Sequence, residues 1–82
     1  MDKILQFPTM AGIFYVLRIK DNDYRIQFDE HVFDEVIYKS IVEAIEVFVN
    51  ESEFFIYHPE LGYPLDLFDL GVSDDISDWK PF

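Results

Sequence analysis

The side chains able to do chemistry in this chain are nearly all carboxylates, and they crowd into one half. Residues 40–79 hold ten acids, Glu43, Glu46, Glu51, Glu53, Glu60, Asp66, Asp69, Asp74, Asp75 and Asp78, and no Lys or Arg. Residues 1–39 are close to balanced, with seven acids against five bases, Lys3, Arg18, Lys20, Arg25 and Lys39. Lys80 is the one later base, and the formal net charge is −11. A sign asymmetry of this kind speaks to partners: it repels nucleic acid and anionic membrane and attracts basic surfaces, typically those of nucleic-acid-binding proteins. Halophilic adaptation would spread acids over the whole chain, and the near-neutral first half argues against it.

Metal binding finds little support in the spacing. Neither Asp21-Asn22-Asp23 nor the acids at 74–78 supply the ligand pattern of a calcium loop. His31 and His58 share no zinc-type spacing, and the absence of Cys rules out thiolate sites and disulfides. His31 and Glu35 stand at i, i+4, but one imidazole and one carboxylate do not make a site; both histidines read as surface or strand-end residues. There is no Gly-rich phosphate loop, nucleophile elbow or Cys-His arrangement. A chain of 82 residues has little volume for a ~300 Å³ pocket beside a core. The expectation is a protein without catalytic activity, metal or cofactor.

What remains is the presentation of charge. Carboxylates at i, i+3 on a helix lie ~5–6 Å apart, and duplex DNA carries one charge per ~1.7 Å of axis, so an array of acids can imitate phosphates. The expected partner-binding residues are Glu43, Glu46, Glu51, Glu53, Asp66, Asp69, Asp74, Asp75 and Asp78, with Trp79 as an apolar anchor among the last of them. The bland alternatives are a solvated face that confers solubility, and a Trp79 packed inward with the acids outward. Leu65-Asp66-Leu67-Phe68-Asp69-Leu70 reads either as a docking motif or, preferably, as an amphipathic turn closing a thin core.

In size and charge the chain resembles small acidic proteins that block nucleic-acid-binding enzymes, such as phage-encoded anti-restriction and anti-CRISPR proteins; the likeness is compositional and involves no alignable motif. The resulting expectation is an inhibitor, a DNA mimic, that occludes the basic nucleic-acid-binding surface of a larger protein and binds neither nucleic acid nor membrane itself. The alternative is an immunity, antitoxin-like or adaptor module that binds through Trp79, Phe82, Phe68 or Tyr63. A homodimer is a third arrangement, which apolar surface off the helix stripe would allow. The first residues lack the apolar core and small-residue cleavage site of a signal peptide, so the expected compartment is the cytosol, that of the host for a phage-encoded protein.

The elements that must position these residues belong to a single α+β domain. Nine Phe, five Tyr and one Trp in 82 residues argue for a packed core despite the charge. Residues 1–10 read as a short leader. Residues 12–20 and 24–28 alternate around Asp21-Asn22-Asp23 as a β-hairpin, with Tyr24, Ile26 and Phe28 facing inward. Phe33, Val36, Ile37, Ile41, Ala44, Ile45 and Phe48 follow a 3.6-residue period, which predicts one amphipathic helix over about 32–50 with Asp29 as N-cap. Ser40-Ile41-Val42-Glu43 offers a rival start at Ile41 through a capping box, leaving 35–39 as a strand; the unbroken stripe favours the longer helix. Val42, Val47 and Val49 lie off the stripe and call for a second apolar surface. A strand near 53–58 completes the small antiparallel sheet, Pro59 to Gly62 turns the chain, and an acidic, aromatic tail over 63–82 docks on the core.

Overall fold

The structure, a computed structural model, describes residues 2–82, with His58 described through its backbone alone. The chain runs through β1 (Asp2–Pro8), β2 (Ile13–Lys20), β3 (Asp23–Phe28), β4 (His31–Val32), α1 (Ile41–Glu51), β5 (Phe55–His58) and β6 (Tyr63–Asp66). A short 3-10 helix (Ile76–Asp78) and β7 (Lys80–Pro81) follow. One antiparallel sheet has the order β4-β3-β2-β1-β7, and β5 pairs with β6 in a separate two-stranded sheet. The class is α+β.

The β2–β3 hairpin forms as its alternation requires. Phe14 stands opposite Phe28 and Val16 opposite Ile26, so one face of the sheet is apolar. Asn22 sits at φ 60°, a left-handed conformation that Asn tolerates better than most residues. Leu5 and Phe7 of β1 add to the same face, opposite Val16 and Phe14. Residues 2–8 are therefore a sheet strand and not a leader. Their partner lies beyond the turn at 9–12, where the Thr9 hydroxyl accepts from the Gly12 backbone N–H at 3.1 Å.

The helix begins at Ile41, so the expectation of a helix over 32–50 is corrected at its start. Ser40 is the N-cap, in an extended conformation, and its hydroxyl accepts from the Glu43 backbone N–H at 3.1 Å. The Glu43 carboxylate in turn accepts from the Lys39 N–H at 2.8 Å. Upstream, backbone pairing with β3 takes precedence over helix. Val32 pairs with Gln27, and Tyr38 exchanges two backbone hydrogen bonds with Tyr24, at 2.8 and 2.9 Å. Val36 and Ile37, which fit the helical stripe, are exposed instead. Asp29 caps no helix: at φ 50° its carboxylate accepts from the Ile13 N–H. Replacing Ser40 by alanine is expected to cost ~1 kcal/mol. That corresponds to about 4–8 °C in the thermal midpoint of a domain of this size, and Ser40→Asn, which keeps an acceptor, should largely preserve it.

The core is one cluster between the main sheet, α1 and the tail. Ala44, Ile45 and Phe48 of the helix meet Phe14, Val16 and Ile26 of the sheet. Phe54 lies among Phe14, Phe28, Phe33 and Phe48, with ring centroids 5.3–6.3 Å away. The segment from 53 to 58 does not join the hairpin sheet as expected; it pairs with Tyr63–Asp66, whose Pro64 could serve only in an edge strand. The tail is docked: Leu65, Leu67, Leu70, Val72 and Trp79 are all buried. β7 closes the far edge of the sheet, with Lys80 opposite Gln6 and Pro81 opposite Leu5.

Candidate functional site

Both segments that carry the acids are placed by their own hydrogen bonding. At 100° per residue, Glu43, Glu46 and Asn50 fall on the helix face opposite Ala44, Ile45 and Phe48. Val42 flanks that face on one side, and Val47 and Glu51 flank it on the other. On the Val42 side the tail comes alongside. The Asn50 amide donates both to the Glu46 carbonyl at 2.9 Å and to the Asp74 carboxylate at 3.1 Å. An open groove of about 350 Å³ results, lined by Val42, Glu46, Asp74, Asp75 and Ile76.

Trp79 fixes the tail that carries Asp74 and Asp75. Its indole N–H donates to the Ser73 carbonyl at 2.9 Å, and its ring lies 5.3 Å from that of Phe7. Trp79 is only 4% exposed, so the expectation of an anchor at the partner surface is corrected. Asp75 caps the short 3-10 helix, accepting from the Ser77 N–H and hydroxyl at 2.9 and 2.8 Å. These two bonds hold its carboxyl below the usual carboxylate range, so it is ionised at neutral pH. Asp78 accepts from the Ser73 hydroxyl at 2.6 Å.

On the Val47 side, Glu51 and Glu53 line a second groove, of about 400 Å³, together with Glu35. Its apolar lining is Phe33, Val36, Val47 and Phe48, with Tyr38 buried beside them. Burial raises the Tyr38 phenol above its ordinary pKa, and the carboxylates of Glu43 and Glu51 raise it further. Asp66 and Asp69 sit apart from both grooves. Each accepts from the other's backbone N–H, at 2.8 and 3.2 Å, and so locks the turn after β6. The structure therefore gathers Glu46, Asp74 and Asp75 at one groove and Glu51 and Glu53 at another, with Glu43 between them on the helix.

The charge asymmetry persists in three dimensions. Among the described residues the ion pairs are Arg18–Asp21, Arg25–Asp23 and Arg25–Asp34, all within the first 34 residues. Among the described residues, none of the acids from Glu43 to Asp78 is paired with Lys or Arg. Lys3, Arg18, Lys20 and Arg25 lie on β1–β3, while Glu43, Glu46 and Glu51 lie on the helix and Asp66, Asp69, Asp74, Asp75 and Asp78 on the tail. No group of three His or carboxylate side chains among the described residues is placed to hold a metal ion. No helix is long and apolar enough to cross a membrane.

A different surface lies on the β5–β6 hairpin. Phe55 and Tyr57 share its outward face with Pro64 and Asp66 and are 63% and 62% exposed. Phe68, in the following turn, is 90% exposed. The alternation over 54–58 separates Phe55 and Tyr57 from Phe54 and Ile56, but it does not say which pair faces outward. The sequence does not mark Tyr38 or Glu35 as groove residues, because the favoured helical period places both in a helix. The chain matches no family model, and neither curated proteins nor solved structures include a significantly similar one.

Proposed function

We propose that this protein is an acidic inhibitor that binds a larger protein and occludes its basic nucleic-acid-binding surface, as a DNA mimic. One observation carries the reading: tail docking sets Asp74 and Asp75 beside Glu46, and no Lys or Arg among the described residues neutralises them. A carboxylate array of this kind costs self-repulsion within a small fold, and it repays that cost by steering a basic partner onto it. The family of agents with this character includes anti-restriction and anti-CRISPR proteins, which would place the chain in a host cytosol during infection.

Immobilised protein, exposed at low ionic strength to nuclease-treated lysate of the native host, is expected to retain a nucleic-acid-binding protein. Added duplex DNA should release it, and about 0.5 M salt should prevent its capture, because screening shortens the reach of the field to a few ångströms. Capture that persists in high salt and ignores DNA overturns the reading.

A second reading is favoured by Phe68, Phe55 and Tyr57, whose exposure is unusual for large aromatic groups. In it the protein is an immunity, antitoxin-like or adaptor module. Capture would then be lost in Phe68→Ala and kept when the acids are reversed in charge.

A further inference from the structure

The groove on the Val47 side of α1 differs from the acidic one in having an apolar floor. Phe33, Val47 and Phe48 form it with the exposed Val36 beside them, and its volume of about 400 Å³ lies within the range of sites that hold a ligand or an inserted side chain. Glu35, Glu51 and Glu53 stand at its rim, and no Lys or Arg lines it.

Tyr38 supplies an independent indication. The residue is 6% exposed and lines the groove, yet its hydroxyl makes no hydrogen bond with any described residue. A phenol at the wall of a groove, without a fixed protein partner, keeps its hydrogen-bonding capacity for an incoming group. The backbone of Tyr38 is held beside β3 by two hydrogen bonds with Tyr24, at 2.8 and 2.9 Å. The phenol stays neutral well beyond physiological pH, and a neutral phenol oxygen can accept a hydrogen bond from an incoming cation.

An apolar channel with acids at its mouth and an acceptor within suits a long side chain with a cationic head. We propose that this groove receives an arginine side chain of the partner protein. Its methylenes lie on Val36, Val47 and the Phe33 ring, and its guanidinium meets Glu51 and its rim neighbours, with one N–H donated to the Tyr38 hydroxyl. Arginine suits the site better than lysine. Its guanidinium is weakly hydrated, stacks on aromatic faces and has five donors to distribute over several carboxylates, whereas an ammonium holds its water tightly. The proposal rests on the reading of a basic-surfaced partner and specifies one residue type of that partner's surface.

The test is an NMR titration of the whole chain with the blocked tripeptide acetyl-Gly-Arg-Gly-amide, read at the Val36 and Val47 methyl groups. Citrulline and lysine versions of the peptide serve as comparisons. The arginine peptide is expected to shift both methyls saturably, the citrulline peptide to leave them unmoved, and the lysine peptide to bind several-fold more weakly. Tyr38→Phe and Glu51→Gln, both near-isosteric, should each weaken the arginine peptide by about tenfold, the loss of one hydrogen bond to a charged group. Glu30→Gln, which removes one charge in the β3–β4 turn, should not.

Equal weakening by Glu30→Gln and Glu51→Gln, or equal binding of lysine and arginine, overturns the assignment. Shifts confined to the amides of Glu46, Asp74 and Asp75 overturn the groove as the arginine site and leave the inhibitor reading standing. No shift at any residue overturns both.

Discussion

Replacing Trp79 by alanine is expected to remove a large part of the protein's stability. The indole is 4% exposed, packs on Phe7 and donates to the Ser73 carbonyl. Deleting a buried aromatic side chain costs ~3–5 kcal/mol. The whole stability of an 82-residue domain is about 4–12 kcal/mol. Such a change consumes a large part of the margin, and it also releases the tail from the sheet. Urea unfolding followed by far-ultraviolet circular dichroism measures the loss without relying on the single tryptophan. Phe68→Ala, at the most exposed aromatic position, is expected to stay within ~0.5 kcal/mol of the parent in the same experiment. A Trp79→Ala variant as stable as the Phe68 one would contradict the docked tail.

The second large effect concerns association. Reversing two charges at the helix–tail groove, Glu46→Lys with Asp74→Lys, is expected to slow capture of a basic partner by ~10–10³-fold. Both side chains are exposed, so the fold should survive the change. The same reversal at Asp2 and Glu60, far apart in sequence and outside either groove, alters net charge equally. That control variant should change the rate by no more than a few-fold. Stopped-flow or surface-capture association rates, taken at two ionic strengths, separate the outcomes. Equal effects from the two pairs would mean that net charge acts alone and that the groove has no special part.

Local chemistry was readable wherever neighbours in sequence are neighbours in space. The hairpin around Asn22 is an example, because the turn residue and the flanking alternation agree. The helix start shows where this breaks down. Val36 and Ile37 fall by coincidence on the stripe of α1, and only the backbone bonds between Tyr38 and Tyr24 reveal that the segment is extended. The capping box at Ser40 was the sounder signal, since a cap satisfies particular N–H groups while a period merely permits burial. β1 looked like a leader because its partners, β2 and β7, are identified only by the completed sheet. The acids were visible as a list, but their grouping was not: Glu46 and Asp74 meet through Asn50, 24 residues from Asp74. The apolar groove was out of reach altogether, because it needs three segments, around Phe33, Tyr38 and Glu51, to converge.

The pairing of β7 with β1 gives the acidic tail a second structural part, cover for an edge of the main sheet. β1 is a seven-residue strand, and without β7 its outer side would offer unpaired N–H and C=O groups to another chain. β7 covers that side with two residues, Lys80 and Pro81, and the Phe82 N–H adds one further bond, to the Ile4 carbonyl at 3.2 Å. The acidic segment is thus continuous with the one that covers the outer side of β1. Proteolytic loss of the tail would remove charge and cover in one cut: mutual repulsion would fall as a template edge opened, and β1 would become the place where aggregation begins.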